Sequence, residues 1–165
     1  MTVAIRPASP SDARTLADLI HGAFAEYEGV LLPPSAAMRE TPSGLAEELT
    51  TVYGGAIADI EDGAGRAAAG CVLFRPEGND LYFGRLSVLP PYRNRGIAAA
   101  LVAHVEAEAS RRGCAGVVLG VRIALPENQR FFARLGYTEV GRHAHAGFDH
   151  DTWIEMRKGL ATSPR

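Results

Sequence analysis

The sequence predicts a mixed α/β fold, with a central sheet that contains both parallel and antiparallel neighbours. Strand-like and helix-like patterns follow one another in the order βααβββαβαββ. Residues 81–121 have the pattern of a strand, a helix and a strand, and the right-handed crossover of such a unit makes its two strands parallel. Residues 77–80, Glu-Gly-Asn-Asp, are typical of a hairpin turn and predict an antiparallel pair just before that unit.

The first half of the chain begins with a short strand at 3–5 and a helix over 12–27. Ser9 is expected to cap this helix, and Pro10 occupies its first position. Apolar residues at helical spacing indicate one buried helix face, made of Leu16, Leu19, Ile20, Ala23 and Phe24. Residues 29–42 contain three prolines and predict a loop, which a second helix over 43–53 follows.

The second half adds two helices and the remaining strands. Strands are predicted at 56–60, 68–76, 81–89, 117–121, 137–142 and 152–158. A long helix over 97–112 ends with two arginines and Gly113, which is typical of a helix C-terminus, and a shorter helix over 126–135 ends at Gly136. We expect one domain over residues 1–165, with a core from about 3 to 160 and a frayed tail at 161–165.

Composition narrows the class of protein. Hydrophobic residues make up 47% of the chain and charged residues 22%, and the net charge of −2 argues against non-specific nucleic-acid binding. No apolar run approaches the roughly 20 residues that span a bilayer, and the N-terminus lacks a signal-peptide pattern. Cys71 and Cys114 are expected to be buried free thiols. We therefore expect a cytoplasmic protein without membrane association.

The most informative stretch runs from Leu86 to Ala98. It begins as an apolar strand, stops at two prolines, turns through basic residues and Gly96, and continues as a helix rich in alanine. Such a turn directs unpaired N–H groups outward from a helix N-terminus, where the helix dipole favours an anion such as phosphate. Arg93 and Arg95 add positive charge. The stretch therefore predicts a ligand that carries a diphosphate.

The same stretch resembles the acetyl-CoA signature of the GCN5-related N-acetyltransferase (GNAT) superfamily. That signature is Gln/Arg-x-x-Gly-x-Gly/Ala, and residues 93–98 are Arg-Asn-Arg-Gly-Ile-Ala. A second match lies at 125–137, which is similar to the family's Asn…Phe-Tyr…Leu-Gly-Phe helix. The resemblance covers about 3 to 160 and implies a mainly antiparallel sheet with helices on both faces. The chain has neither Gly-x-Gly-x-x-Gly nor Gly-Lys-Ser/Thr, so a Rossmann or P-loop site fits less well.

The resemblance implies acetyl-CoA as the acyl donor. Backbone groups of Leu86 and Val88 would bond the pantetheine arm as if it were an added strand. Asn128 would lie near the pantetheine amides or the thiol, with Phe132 beside it. The N–H groups of one run would hold the pyrophosphate, namely Arg93, Asn94, Arg95, Gly96, Ile97 and Ala98.

The resemblance further implies transfer of the acetyl group to a primary amine by direct attack, without a covalent enzyme intermediate. The N–H of Val88 would bind the oxyanion. The family often uses a tyrosine to protonate the departing thiolate, and Phe132 stands at that position. Three explanations stay open: the thiolate leaves without help, another group replaces the tyrosine, or the chain is a non-catalytic acyl-CoA-binding regulatory module. A nucleotide-binding protein that uses the same turn is a further hypothesis.

Candidate residues for the acceptor half come from two loops and one strand. His145, in a loop with His143 and His150, could accept the proton of the amine. Glu26 and Tyr27, at the end of the first helix, could orient a cationic amine. Alternation along the fourth strand puts Arg85 and Ser87 on one face and Leu86 on the other, so Arg85 could favour an acidic group on the substrate. We expect no metal, and a C-terminal edge strand suggests a possible homodimer. The acceptor could be a small molecule or a protein.

Overall fold

The computed structural model describes residues 1–161, so most of the predicted frayed tail lies outside the described residues. Within them, seven strands form one sheet in the order β1-β2-β3-β4-β5-β7-β6. Every neighbouring pair is antiparallel except β4 and β5, which are parallel as predicted. The strands are β1 (Thr2–Pro7), β2 (Gly54–Asp62), β3 (Gly65–Glu77), β4 (Asp80–Val88), β5 (Gly116–Arg122), β6 (Thr138–His143) and β7 (Trp153–Gly159).

Four α-helices cover the two faces of this sheet, and they are α1 (Ala13–Phe24), α2 (Pro42–Glu48), α3 (Ile97–Arg111) and α4 (Pro126–Arg134). On one face, buried residues of α1 and α2 pack against Ile57, Cys71 and Leu73 of the sheet. On the other face, α3 and Phe132 of α4 pack against Phe83 and neighbouring strand residues. Each helix thus buries its apolar side against the sheet. The predicted mainly antiparallel α/β fold with helices on both faces is confirmed.

The first two helices are shorter than the sequence predicted. Helix α1 ends at Phe24, and Ala25–Tyr27 form a separate 3-10 turn. Helix α2 ends at Glu48 instead of extending to residue 53. Beyond it, the Thr50 hydroxyl donates to the carbonyl of Glu47 (2.7 Å) and the Thr51 hydroxyl donates to that of Glu48 (2.6 Å). These side chains occupy carbonyls at the end of the helix, so the chain turns there.

Strand β4 contains a bulge at Arg85, which sequence alternation does not anticipate. Arg85 has φ +53, and the register with β3 shifts between Cys71 and Leu73. The bulge therefore shifts which positions of β4 face α3. Before the bulge these are the odd-numbered Leu81 and Phe83, and after it they are the even-numbered Leu86 and Val88. Arg85 and Ser87 share the opposite face, as predicted: Arg85 contacts Glu48 of α2 and Ser87 contacts Cys71 of β3.

The two cysteines differ in their surroundings. Cys71 is buried, and that burial raises the pKa of its thiol to about 12, so the thiol stays protonated. Cys114 is only partly buried, since it follows the C-terminus of α3 at the sheet margin. The expectation that both thiols are buried is correct for Cys71 alone. Among residues 1–161, no helix has the length and apolar character needed to cross a membrane.

Candidate active site

A cleft of about 860 Å³ opens where β4 and β5 separate. The two strands pair only over 80–82 and 116–118, whereas β5 stays paired with β7 along 116–122. The C-terminal half of β4 therefore has one edge without a strand partner. The cleft brings together every predicted site residue except Arg95 and His145, namely Glu26, Tyr27, Arg85, Leu86, Val88, Arg93, Asn94, Gly96, Ile97, Ala98, Asn128 and Phe132.

The N-terminus of α3 forms one end of the cleft. Gly96 is the N-cap, and its φ of +77 lies in the left-handed region that glycine adopts without strain. The first helical bond runs from the N–H of Ala100 to the carbonyl of Gly96 (3.0 Å). Within residues 1–161, the N–H groups of Ile97, Ala98 and Ala99 have no hydrogen-bond acceptor. Three free donors at the positive end of a 15-residue helix are suited to bind an anion.

The exposed backbone of β4 forms the middle of the cleft. The N–H of Leu89 donates to the carbonyl of Ala69 on β3 (2.9 Å). Because N–H groups alternate along a strand, the N–H of Val88 is directed to the opposite edge, toward the gap between β4 and β5. The N–H of Leu86 is directed the same way. Both groups can donate hydrogen bonds to an extended ligand that lies in the gap.

Arg93 binds the protein instead of extending into open space. Its guanidinium donates to the carbonyl of Val88 (3.1 Å) and to that of Ala23 in α1 (3.1 Å), and it pairs with Glu26 (2.7 Å). Arg93 therefore connects the end of β4 to the end of α1. Because Glu26 forms this ion pair, a cationic amine would have to compete with Arg93 for the Glu26 carboxylate.

Arg95 is an exposed residue outside the cleft lining. Its guanidinium lies over the ring of Tyr92, 5.9 Å from the centroid, and donates to the sulfur of Met1 (3.3 Å). The predicted contribution of Arg95 to phosphate binding would need this long side chain to turn toward α3.

Tyr27, Asn128 and Phe132 all line the cleft, and the Asn128 side chain lies next to Tyr27. Burial raises the pKa of the Tyr27 phenol, and the charge of Glu26 adds to that effect. The Asn128 side chain approaches the phenol and acts in the opposite direction. Tyr27 therefore keeps its proton at neutral pH and can donate it. Phe132 is buried, with its ring 5.0 Å from that of Phe131 and 5.9 Å from that of Phe83, and it carries no proton.

Arg85 is already neutralised by two carboxylates of the protein. Its guanidinium bonds Glu40, in the loop before α2, and it contacts both oxygens of Glu48 (3.1 and 3.3 Å). The side chain of Arg85 is 20% exposed and that of Glu40 is 15% exposed. With two acids on one base, Arg85 offers no free positive charge to a ligand in this part of the cleft. The predicted preference of Arg85 for an acidic substrate group has no free charge to support it.

The Arg85 cluster should also stabilise the fold. We expect Arg85→Met to lower the free energy of unfolding by about 2 kcal/mol, because Glu40 and Glu48 lose their partner inside the protein. Denaturant unfolding measures this loss. Arg111→Met is the matched control, because that exposed guanidinium pairs with Glu108 on the surface of α3. Equal losses for the two variants would show that the cluster adds no stability.

His145 lies in a smaller cavity of about 360 Å³ beside the cleft. Its Nδ1 shares a hydrogen bond with the Thr152 hydroxyl, which also accepts from the N–H of His145 (2.9 Å). Burial lowers the pKa of the imidazole, and the nearby charge of Arg122 lowers it further. In the tautomer with its proton on Nδ1, the Nε2 lone pair has no partner among residues 1–161. His145 can therefore accept a proton.

His143 and His150 have other contacts. The ring of His143 stacks on Trp153 at 4.3 Å and bonds Glu155 (3.2 Å). His150 is exposed and pairs with Asp149 (2.9 Å). Within the described chain, no three histidine, cysteine or acidic side chains lie together in a way that could hold a metal ion.

Sequence reasoning missed the acidic pair Glu40 and Glu48 and the arginine at the end of β5, Arg122. Glu40 lies in a stretch without periodicity, and the bulge that directs Arg85 toward it has no sequence signature. Arg122 could have been found, because it directly follows the buried run 117–121 on the strand that borders the gap. Charged residues at the ends of buried strands often reach a binding site.

Comparison with known proteins identifies the family. The family model described as Acetyltransferase (GNAT) family matches residues 22–137, which extend from α1 to the end of the helix that carries Phe132. This chain belongs to the GNAT family of acetyltransferases. The matched range contains both sequence motifs and the strand gap, so the family resemblance read from the sequence is confirmed.

Curated GNAT relatives support the same class. An uncharacterized N-acetyltransferase of Mycobacterium tuberculosis (strain ATCC 25618 / H37Rv) is 37% identical over 97 residues, which cover 58% of this chain and 62% of the relative. An acetyltransferase of Agrobacterium fabrum (strain C58) is 35% identical over 78 residues, which cover 47% of this chain and 56% of the relative. The chain thus spans less than two thirds of the length of these relatives.

Solved GNAT structures share the fold. The PaiA N-acetyltransferase of Thermoplasma acidophilum, in complex with coenzyme A, aligns with a TM-score of 0.79 and 18% identity over 97% of this chain and 100% of that one. The ribosomal-protein alanine N-acetyltransferase of Escherichia coli aligns with a TM-score of 0.76 and 17% identity over 99% and 97%. At these identities the likeness concerns the fold.

Proposed function

We propose that this GNAT protein is an N-acetyltransferase that moves the acetyl group of acetyl-CoA to a primary amine by direct attack. The observation that carries the proposal is the joint presence, in one cleft, of the three free N–H groups of α3 and the unpaired edge of β4. The first suits a pyrophosphate and the second suits the amides of a pantetheine arm. The coenzyme A in the T. acidophilum neighbour supports this choice of donor.

The proposed chemistry divides among three groups. The N–H of Val88, directed into the gap, stabilises the oxyanion that forms when the amine attacks the thioester carbonyl. His145 takes the proton of the attacking nitrogen, directly or through a water molecule. Tyr27 replaces the missing tyrosine of α4 and protonates the departing thiolate. His145 takes the first proton, which frees the nitrogen lone pair for attack; the C–N bond forms, the C–S bond breaks, and coenzyme A leaves with the proton of Tyr27. The second proton that the nitrogen loses as the amide forms then restores the Tyr27 phenol through water.

A panel of primary amines tests the proposal through release of the coenzyme A thiol. Acetyl-CoA binding, measured by calorimetry, with thiol release for at least one amine is the expected result. Phe132, which has no proton to give, favours the alternative of a non-catalytic acyl-CoA-binding regulatory module. Tight acetyl-CoA binding without thiol release for any amine would support that module. Binding of ATP or NAD as tight as that of acetyl-CoA would support a nucleotide-binding protein instead.

The pH dependence of kcat should depend on His145. Because burial and Arg122 lower the imidazole pKa, the neutral form persists below the usual value of about 6.5. We expect kcat to be constant near neutrality and to fall only as the pH drops below about 6.5, where the base becomes protonated. Steady-state rates between pH 5 and 8 measure the profile.

Two variants isolate the histidine that titrates. His145→Gln should lower kcat and remove the acidic limb. His150→Gln should leave the profile unchanged, because His150 is exposed and pairs with Asp149. An acidic limb that survives in His145→Gln would assign the base to another group.

A further inference from the structure

The smaller cavity shares part of its lining with the cleft. Both are lined by Arg75, Tyr82 and the C-terminal part of β5, including Arg122. The cavity therefore begins where the proposed donor site ends, next to His145. Its volume of about 360 Å³ accommodates a small molecule.

Arg122 is the arginine of this cavity that has no acidic partner among residues 1–161. Its guanidinium donates to the carbonyl of Pro34 (3.5 Å), and no carboxylate of residues 1–161 lies within 4.0 Å of it. The other arginine of the lining, Arg75, has an acidic partner in Glu77 (3.6 Å), and Glu155 shares a hydrogen bond with His143 (3.2 Å). Partial burial lowers the pKa of Arg122, and no nearby acid compensates for it.

An unpaired guanidinium in a cavity is suited to bind an anion. Removing a cation from water costs free energy, which a ligand carboxylate would recover through two parallel hydrogen bonds. A singly charged carboxylate matches the one free guanidinium, whereas a phosphate dianion would bring a second negative charge near Glu77 and Glu155. Arg85, on the neighbouring part of the cleft, cannot serve in this way because Glu40 and Glu48 hold it.

We propose that Arg122 binds a carboxylate of the acceptor, so that the substrates are small amines that carry a carboxylate, such as amino acids. The proposal rests on the proposed acetyl transfer. With its carboxylate bound by Arg122 in the smaller cavity, the acceptor would direct its amine toward His145 and the gap beside Val88. Attack on the thioester then yields an N-acetylated amino acid and free coenzyme A; of the two protons that the ammonium nitrogen loses, one is on His145 and the other restores the Tyr27 phenol.

Matched pairs of acceptors test this assignment. Each of the common amino acids is compared with its carboxamide, and thiol release gives kcat/KM for both. We expect at least one amino acid to be a substrate, with kcat/KM about 10- to 100-fold above that of its amide, because the amide lacks the charge that Arg122 binds. This ratio needs no variant, so it stays informative if substitution of Arg122 impairs folding.

Variants then assign the preference to Arg122. Arg122→Gln should bring the acid-to-amide ratio close to one, mainly through KM, while Arg122→Lys should keep part of it. Arg130→Gln is the control, because that arginine is exposed on α4 outside both cavities and should leave the ratio unchanged. A structural role for Arg122 would lower the rates for acid and amide equally.

Several results would overturn the inference. Amides preferred over acids, phosphoethanolamine preferred over every amino acid, or an unchanged ratio in Arg122→Gln would each do so. So would acetyl-CoA binding without turnover of any amino acid in the panel. Failure of the wild-type protein to bind acetyl-CoA would instead contradict the proposed function, and calorimetry distinguishes that case before any acceptor is added.

Discussion

Gly96→Trp is expected to abolish measurable acetyl-CoA binding, with an affinity loss of at least about 100-fold. A Cβ at Gly96 meets nothing within 4 Å, so the indole would extend into the open space in front of the free N–H groups of α3. In the proposed complex that space holds the pyrophosphate. Calorimetric titration with acetyl-CoA measures the loss.

The chain offers a close control for backbone strain at Gly96. Gly113, just past the C-terminus of α3, has φ +75 and an equally open Cβ position. Gly113→Trp therefore imposes similar strain of about 1 to 2 kcal/mol on the same helix, at the end away from the cleft. We expect comparable losses of melting temperature in both variants and normal acetyl-CoA binding in Gly113→Trp alone. Equal affinities for the two would remove the pyrophosphate site from the N-terminus of α3.

The second large effect is expected at Tyr27. Tyr27→Phe should lower kcat by about 100-fold, near the lower limit for general acid catalysis, because it removes the proton donor near Asn128. The effect stays near that limit because a thiol of pKa roughly 8.5 is already a good leaving group. Tyr53→Phe is the control, since Tyr53 lines the cleft beside Arg75 and Arg85 and away from this proton path.

A second substitution can restore the missing proton. Phe132→Tyr places a phenol on α4 at the position where the family often carries one, so it should recover much of the activity lost in Tyr27→Phe. In the wild-type background the same change should have little effect on kcat, because Tyr27 already donates. A loss in Tyr27→Phe that Phe132→Tyr does not repair would indicate that Tyr27 acts by positioning the substrate.

The turn at 93–98 and the parallel strands around it follow from local sequence patterns. Three local features determine this region: a glycine at a left-handed N-cap, small residues in the first helical turn, and an apolar strand before two prolines. Because each acts over a short stretch of chain, the sequence alone predicts the turn and the strands. The contacts of Arg93 cannot be predicted from local patterns, because they join residues up to 70 positions apart. The sequence therefore predicts the position of Arg93 in the turn and misses its bonds to Val88, Ala23 and Glu26.

The charge pairing in the acceptor part of the site was not predicted either, because it also depends on contacts between distant residues. The bulge at Arg85 changes which residues share a face, and no residue type near it requires such an irregularity. As a result, the acid-binding charge that the sequence suggested at Arg85 is taken by Glu40 and Glu48, while Arg122 is left without an acidic partner among the described residues. Long-range charge pairing determines which arginine has an available charge, and one sequence does not reveal that pairing.

The gap between β4 and β5 has a consequence for the sheet itself. Strand β4 stands fourth of seven, yet its C-terminal half exposes backbone donors and acceptors as an outermost strand would. The middle of this sheet therefore offers the hydrogen-bonding edge that an added strand would use. In the proposed complex the pantetheine arm is a transient eighth strand, and its binding stabilises the folded chain by an amount that increases with the ratio of ligand concentration to Kd.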